Sequence, residues 1–256
     1  MKLLVATRNT KKLGELERIL QAAHIDNVEL LSLSDVPAYP ERPESGATFA
    51  DNAFIKAVDA AVARGYVCVA DDSGLSIDAL SGMPGVLSAR WSGRHGDDRA
   101  NYELVLAQLA DVPDNRRGAA FRTACAVVAP AALFAANDSS ATDTGASESG
   151  PAPLPTVAQV REALIAAGFP AVTDDAGNLL LVVEGRWPGH ILRQPVGDNG
   201  FGYDPIFAPT SQEGGSDDGQ RSAAELDAAT KDAFSHRGRA LRALAPALAL
   251  LAEQLG

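Results

Sequence analysis

Apolar positions along this chain recur at two different spacings, and the changes between them mark its elements. Residues 2–6, apolar after Lys2, are a strand candidate, after which Leu13, Leu16, Ile19 and Leu20 repeat on one helical face, predicting a strand, a polar turn and a helix. A second short strand is expected over residues 28–31, followed by a proline-rich loop over 37–46 that carries Glu41 and Glu44. The next helix is punctuated at both ends, by a Thr48/Asp51 capping pair and by Gly65 at the position of a left-handed cap. Residues 67–70 then suit a fully buried strand that opens onto Asp71-Asp72-Ser73-Gly74. If extended geometry persists, Asp71 and Asp72 point to opposite faces. Taken alone, these four residues also read as a solvated turn.

Gly82-Met83-Pro84-Gly85 is a turn pattern, a helix is expected over about residues 98–109, and 118–128 reads as a strand. Its expected partner is 179–183, entered through the turn Asp175-Ala176-Gly177-Asn178. Between them, residues 131–176 differ in character: an Ala/Ser/Asp/Thr/Gly tract to Gly150 has the composition of a disordered segment, and Pro151, Pro153 and Pro155 follow it. A Thr156/Gln159 capping pattern then starts a short helix with Val160, Leu164 and Ala167 on one stripe. Trp187-Pro188-Gly189 and Gly197-Asp198-Asn199-Gly200 frame residues 191–195. Phe201-Gly202-Tyr203-Asp204-Pro205 is an aromatic loop that either stacks a flat ring or fills its own interior. Residues 209–221 are polar, Ser222 and Glu225 form another capping box, and Ser235-His236-Arg237-Gly238 opens a last helix with Leu241, Leu244, Leu248 and Leu251 inward. A histidine and an arginine at a helix start oppose its dipole, a local conflict that points to a ligand.

Composition narrows the function. With 46% apolar but only 5% aromatic residues, the 256-residue chain must build its core mainly from Ala, Val and Leu. A net charge of −11 argues against general affinity for a nucleic-acid polymer or an anionic membrane. A small anionic ligand would need a local cluster of cations or a metal. Cys68 and Cys125 have no metal-ligand spacing and read as buried free thiols. The apolar run at 243–252 contains Pro246 and is too short to span a bilayer, and the N-terminus lacks a signal-peptide pattern, so a cytoplasmic protein is expected. The turn after the first strand offers backbone N–H groups and a helix start, with Thr7, Asn9 and Lys12 adding donors suited to phosphate; a capped turn with a solvated lysine is the plainer reading. No P-loop pattern occurs.

Thr7-x-Asn9-x-x-Lys12, Glu44-x-Gly46-x-Thr48-Phe49-x-x-Asn52-Ala53-x-x-Lys56-Ala57 and Ala70-Asp71-Asp72-Ser73-Gly74-Leu75 together resemble the inosine/xanthosine triphosphate pyrophosphatase family. Gly200-Phe201-Gly202-Tyr203-Asp204-Pro205, Ala224-Glu225-Leu226, Lys231 and Ser235-His236-Arg237-Gly238 resemble its later blocks in the same order. The likeness covers residues 1–130 and 177–256; the departure is the insertion at about 131–176, which touches no motif. Each block is weak alone, whereas the ordered set is specific.

The resemblance implies a single α/β domain over 1–256, elongated and two-lobed, with a central mixed twisted sheet, the site in the inter-lobe cleft, and a homodimer. It implies hydrolysis of deaminated purine nucleoside triphosphates such as ITP, dITP and XTP to monophosphate and pyrophosphate. Glu44 and Asp72 would hold Mg²⁺, a hard cation suited to carboxylate and phosphate oxygen, and Asp72 would also serve as base. Thr7, Asn9, Lys12, Lys56 and Ser73 would bind the triphosphate, and Arg8, Thr10 and Lys11 would belong to the substrate-binding residues beside them. Phe201, Gly202, Tyr203 and Asp204 would form the base-side loop, with Lys231, His236 and Arg237 reaching the base or sugar, Arg237 foremost at position six of the purine. Two other readings stand beside it: a related enzyme acting on modified pyrimidine triphosphates, against which Ser235-His236-Arg237 argues, and a regulator that binds the nucleotide without turnover, against which the two metal carboxylates argue.

Overall fold

The computed structural model describes residues 1–135, 154–211, 215–216 and 219–256. The low-complexity tract expected to be disordered lies mostly outside the described residues. In chain order the elements are β1 (Lys2–Val5), α1 (Thr10–Ala22), β2 (Glu29–Leu31), α2 (Phe49–Arg64), β3 (Val67–Ile77), α3 (Asp98–Gln108), β4 (Gly118–Ala129), α4 (Ala132–Ala135), α5 (Val157–Ala166), β5 (Val172–Thr173), β6 (Leu179–Ile191), β7 (Phe207–Pro209), α6 (Ala228–Phe234) and α7 (His236–Leu255). Among the described residues the strands form one mixed, seven-stranded sheet in the order β2-β1-β3-β4-β6-β5, with β7 also paired to β6. β1 runs parallel to both β2 and β3, which requires the helical crossovers α1 and α2, while β3, β4 and β6 are antiparallel neighbours.

Alternation along the strands sorts the core into two faces. Leu3, Val5, Val67, Val69, Cys125 and Val127 pack with Leu16, Ile19 and Leu20 of α1 and Leu241, Leu244, Leu248 and Leu251 of α7. Their sequence neighbours Leu4, Cys68, Ala70, Ala124, Ala126 and Val128 face the other way, against Ala53, Ala57, Ala60 and Ala61 of α2. A third cluster fills the far half of the long strands, where Phe121, Trp187 and Phe207 bring their rings together beside Leu75, Ile77, Val105 and Leu109. Cys68 and Cys125 are both buried free thiols, as expected. Among the described residues, no helix is long and apolar enough to cross a membrane.

Three segments go beyond the local reading of the sequence. β3 does not end at Ala70 but continues to Ile77, pairing with β4 from Cys68 to Ile77, so the two aspartates sit inside a strand rather than in a turn beyond it. Trp187-Pro188-Gly189 lies within β6: Trp187 is fully buried, and a Cβ on Gly189 would stand 2.3 Å from the Ala208 carbonyl oxygen, so close strand approach selects the glycine. The end of the insertion is part of the body. Val160 and Leu164 of α5 are fully buried in the α1/α7 core together with Ala171, and β5 adds to the edge of β6.

Candidate active site

Because β3 is extended through its carboxylates, Asp71 and Asp72 face opposite sides of the sheet. Asp72 turns to α2, where two residues one helical turn apart meet it: Asn52 Nδ2 donates to Oδ2 at 3.1 Å and Lys56 Nζ donates to Oδ1 at 3.1 Å. The Thr48/Asp51 capping box and the left-handed Gly65 fix the two ends of that helix. Asn52 is fully buried and its Oδ1 accepts the Gly46 N–H at 2.7 Å, which pins the loop carrying Glu44. Lys56 Nζ also lies 3.2 Å from Glu44 Oε1. Glu44 and Asp72 thus converge on one cation-sized point. Burial raises the Asp72 pKa, and the Lys56 charge and the Asn52 amide only partly oppose it.

The convergence fits a magnesium ion in its donor chemistry, with oxygen ligands on two elements and a cation already stabilised between them. Among the described residues no three His, Cys, Asp or Glu side chains group to hold a metal, so phosphate and water oxygens would have to complete the shell.

Asp71 turns to the α1/α7 side. Lys12 Nζ lies 2.5 Å from its Oδ2, which also accepts from Ser73 Oγ at 3.2 Å, and Arg237 Nε stands 3.4 Å from Oδ1. Burial alone would raise the Asp71 pKa, but the charges of Lys12 and Arg237 outweigh it and hold the group well below the carboxylate range. Arg237 pairs with Glu15 through Nη1 and donates from Nη2 to the Lys12 carbonyl oxygen at 3.0 Å. The helix-start conflict read from sequence is therefore met by Glu15 and Asp71. His236 is buried, its ring stacked on Phe121 at 5.1 Å, and burial pushes its pKa down to about 3, leaving a neutral imidazole.

The remaining sequence candidates divide. Thr7 and Asn9 shape the turn between β1 and α1, the Asn9 N–H donating to Thr7 Oγ1 at 3.1 Å, and Thr10 begins α1. Arg8 is turned outward and pairs with Glu41. Lys11 lies in the first turn of α1, its side chain outside the described residues. Ser73 Oγ lies 2.7 Å from Thr123 Oγ1, on the Asp71 side. The aromatic loop splits: Phe201 is 55% exposed with Lys231 Nζ 4.8 Å above its ring, whereas Tyr203 is buried and its hydroxyl donates to the Ser88 carbonyl oxygen at 2.8 Å. Tyr203 fills the loop core and presents no open face. Asp204, buried, accepts from Lys231 and from the Phe201 N–H, while the Gly202 N–H donates to Asp98 Oδ2 at 2.7 Å.

Asn52, Glu15 and Thr123 were absent from the sequence-derived site. Asn52 carried a signal, its spacing of four from Lys56 on one helical face; Glu15 and Thr123 carried none, since their partners are distant in the chain. A cavity of about 450 Å³ adjoins the β1–α1 turn, lined by Thr7, Arg8, Asn9 and Thr10 on one side and Leu33, Val36 and Tyr39 on the other.

An open mixed sheet with carboxylates on both faces of one strand, Asp71 against Lys12 and Arg237 and Asp72 against Lys56, defines an α/β protein with paired charges gathered at a mid-sheet strand. The chain belongs to the Ham1 family, whose model matches residues 3–147 and 154–247. A dITP/XTP pyrophosphatase of Corynebacterium efficiens is 50% identical over 254 residues, covering 99% of this chain and all of that protein. The crystal structure of a nucleoside-triphosphatase, dITP/XTP pyrophosphatase, from Mycobacterium abscessus is 51% identical, covers 97% of this chain and 100% of that one, and superposes with a TM-score of 0.64. A HAM1 protein structure from Coxiella burnetii is 33% identical, with 97% and 98% coverage and a TM-score of 0.69.

Proposed function

We propose that this protein is a nucleoside triphosphate pyrophosphatase that hydrolyses non-canonical purine nucleotides, ITP, dITP and XTP, to monophosphate and pyrophosphate in a Mg²⁺-dependent reaction, acting as a cytoplasmic homodimer that cleanses the nucleotide pool. The observation that carries the reading is the convergence of Glu44 and Asp72 on Lys56, in a chain about half identical to proteins named dITP/XTP pyrophosphatase.

In this reading Glu44 and Asp72 hold Mg²⁺, whose charge offsets that of the phosphate oxygens. Asp72 is the base. A water oxygen forms a bond to the α-phosphorus, its proton passes to the Asp72 carboxylate, and the bond between the α-phosphorus and the bridging oxygen breaks to release pyrophosphate. Asn52 fixes the orientation of the Asp72 carboxylate for that step. Lys12, Lys56 and the N-terminal turn of α1 supply the positive field that a chain of net charge −11 lacks elsewhere. Phe201 offers the stacking face for the base. Glu15 and the Lys12 carbonyl oxygen hold two of the five N–H donors of Arg237, so reading the six-oxo group falls to the others.

The test is release of pyrophosphate from ITP, dITP, XTP, GTP, ATP and a modified pyrimidine triphosphate, with and without Mg²⁺ and inorganic pyrophosphatase. Turnover confined to the deaminated purines and dependent on Mg²⁺ supports the assignment. Orthophosphate and a nucleoside diphosphate appearing first, or tight binding of ITP with no product, would overturn it.

A further inference from the structure

Four charged side chains form a closed, balanced row on the α1/α7 side of the sheet: Glu15, Arg237, Asp71 and Lys12. Their side chains are 11%, 9%, 7% and 23% exposed, so Lys12 alone reaches toward solvent. Asp71 is shared, one oxygen facing Lys12 and the other facing Arg237. The two contacts are unequal. Lys12 is in close hydrogen-bond range, whereas Arg237 Nε is buried without a hydrogen-bond partner 3.4 Å from the carboxylate. An unsatisfied buried donor beside a carboxylate gains by a small closing movement, and Glu15, which grips the other side of the same guanidinium, opposes it.

We propose that Asp71 is a positioning residue whose hold on Lys12 is set by Arg237, so that the Glu15–Arg237 pair at one end of the row tunes how freely Lys12 meets a phosphate at the other. The inference rests on the reading of Lys12 as a triphosphate ligand, and it assigns Asp71 and Glu15 a role in affinity rather than in bond breaking. Charge arithmetic gives opposite signs for two changes. Removing the Arg237 charge leaves Asp71 to Lys12 alone, which holds the ammonium back and weakens phosphate binding. Removing the Glu15 charge lets Arg237 turn onto Asp71, which loosens Lys12 and strengthens phosphate binding. A merely structural role would weaken binding in both cases.

Inorganic tripolyphosphate, which has no base for Arg237 to read, is the probe, with its dissociation constant measured by calorimetry on the full-length protein. Arg237→Gln is expected to weaken binding about five-fold and Glu15→Gln to tighten it by about the same factor, the scale of coupling between neighbouring charges. In the Asp71→Asn background the Glu15→Gln effect should vanish, while any part of the Arg237→Gln effect that runs through the Lys12 carbonyl survives. Dissociation constants that shift in the same direction in both variants, or that move with neither, overturn the proposal, as does a Glu15→Gln gain that persists without the Asp71 charge. Thermal melts of each variant separate loss of fold from loss of affinity. If the protein turned over no nucleotide yet showed the opposed shifts, the pyrophosphatase reading would fail and the positioning role would stand.

Discussion

On the α7 side of β3, Asp71 lies between Lys12 and Arg237 and binds its proton far more weakly than an ordinary carboxylate; one residue on, at the α2 side, Asp72 meets an amide and a single lysine and binds its proton more strongly. Both are buried, so burial raises both, and the number of cations within reach decides the net direction. The faces behind them differ as well. Leucines of α1 and α7 crowd the Asp71 side, and alanines of α2 let a helix approach the Asp72 side closely. A carboxylate locked as an anion can organise cations, whereas one that still takes up a proton can serve a reaction.

The largest expected effect tests that division in catalysis. Asp72→Asn should lower kcat for ITP by roughly 10²–10⁴, the range for removal of a general base, and Asp71→Asn should cost far less in kcat while changing KM. Equal losses in both variants would erase the distinction.

Packing provides the next contrast. Leu164→Ala on the leucine face should destabilise by about 2–5 kcal/mol, since Leu164 is fully buried in α5 and leaves a cavity. Excising residues 132–175 for an Asn-Gly turn, which the insertion's composition alone suggests is harmless, is accordingly expected to lower the melting temperature. On the alanine face the danger is reversed. Ala57→Leu should cost about 1–3 kcal/mol by overpacking, and denaturant midpoints would report both.

The smallest effect is in stability against pH. The folded-state pKa of Asp71 is depressed, so its contribution is present above the unfolded value of 3.8 and is lost as pH falls through the folded value. Asp71→Asn should therefore lower the melting temperature at pH 7, and the gap to the parent should narrow in acid. Asp72 is raised, so the ionised group costs stability above its folded pKa, and Asp72→Asn should melt higher than the parent at pH 7. Melting curves from pH 3 to 7 in which both variants shift the same way would contradict the opposed environments.

What could be read from the sequence was local. The Thr48/Asp51 box, Gly65 and the opposed faces of Asp71 and Asp72 depend on neighbours within four residues, and each stands as expected. The errors arose where composition reflects distant contacts. Asp71-Asp72-Ser73-Gly74 has turn chemistry because Lys56, Lys12 and Thr123 need those groups, and because a Cβ on Gly74 would lie 2.5 Å from the Gly85 carbonyl oxygen. Pro188 and Gly189 mimic a break in β6 for a similar reason, the close passage of β7. Glu15 and Arg237 are 222 residues apart, and no spacing rule joins them.

The uninterrupted pairing of β3 with β4 from Cys68 to Ile77 also bears on time. Backbone amides in such a ladder exchange with solvent only through large openings of the sheet, whereas those of the exposed turns around Arg8 and Phe201 exchange through local fraying. Amide exchange is accordingly expected to be slower at the two carboxylates and Ser73, within the paired strand, than at Arg8 and Phe201 in the exposed turns.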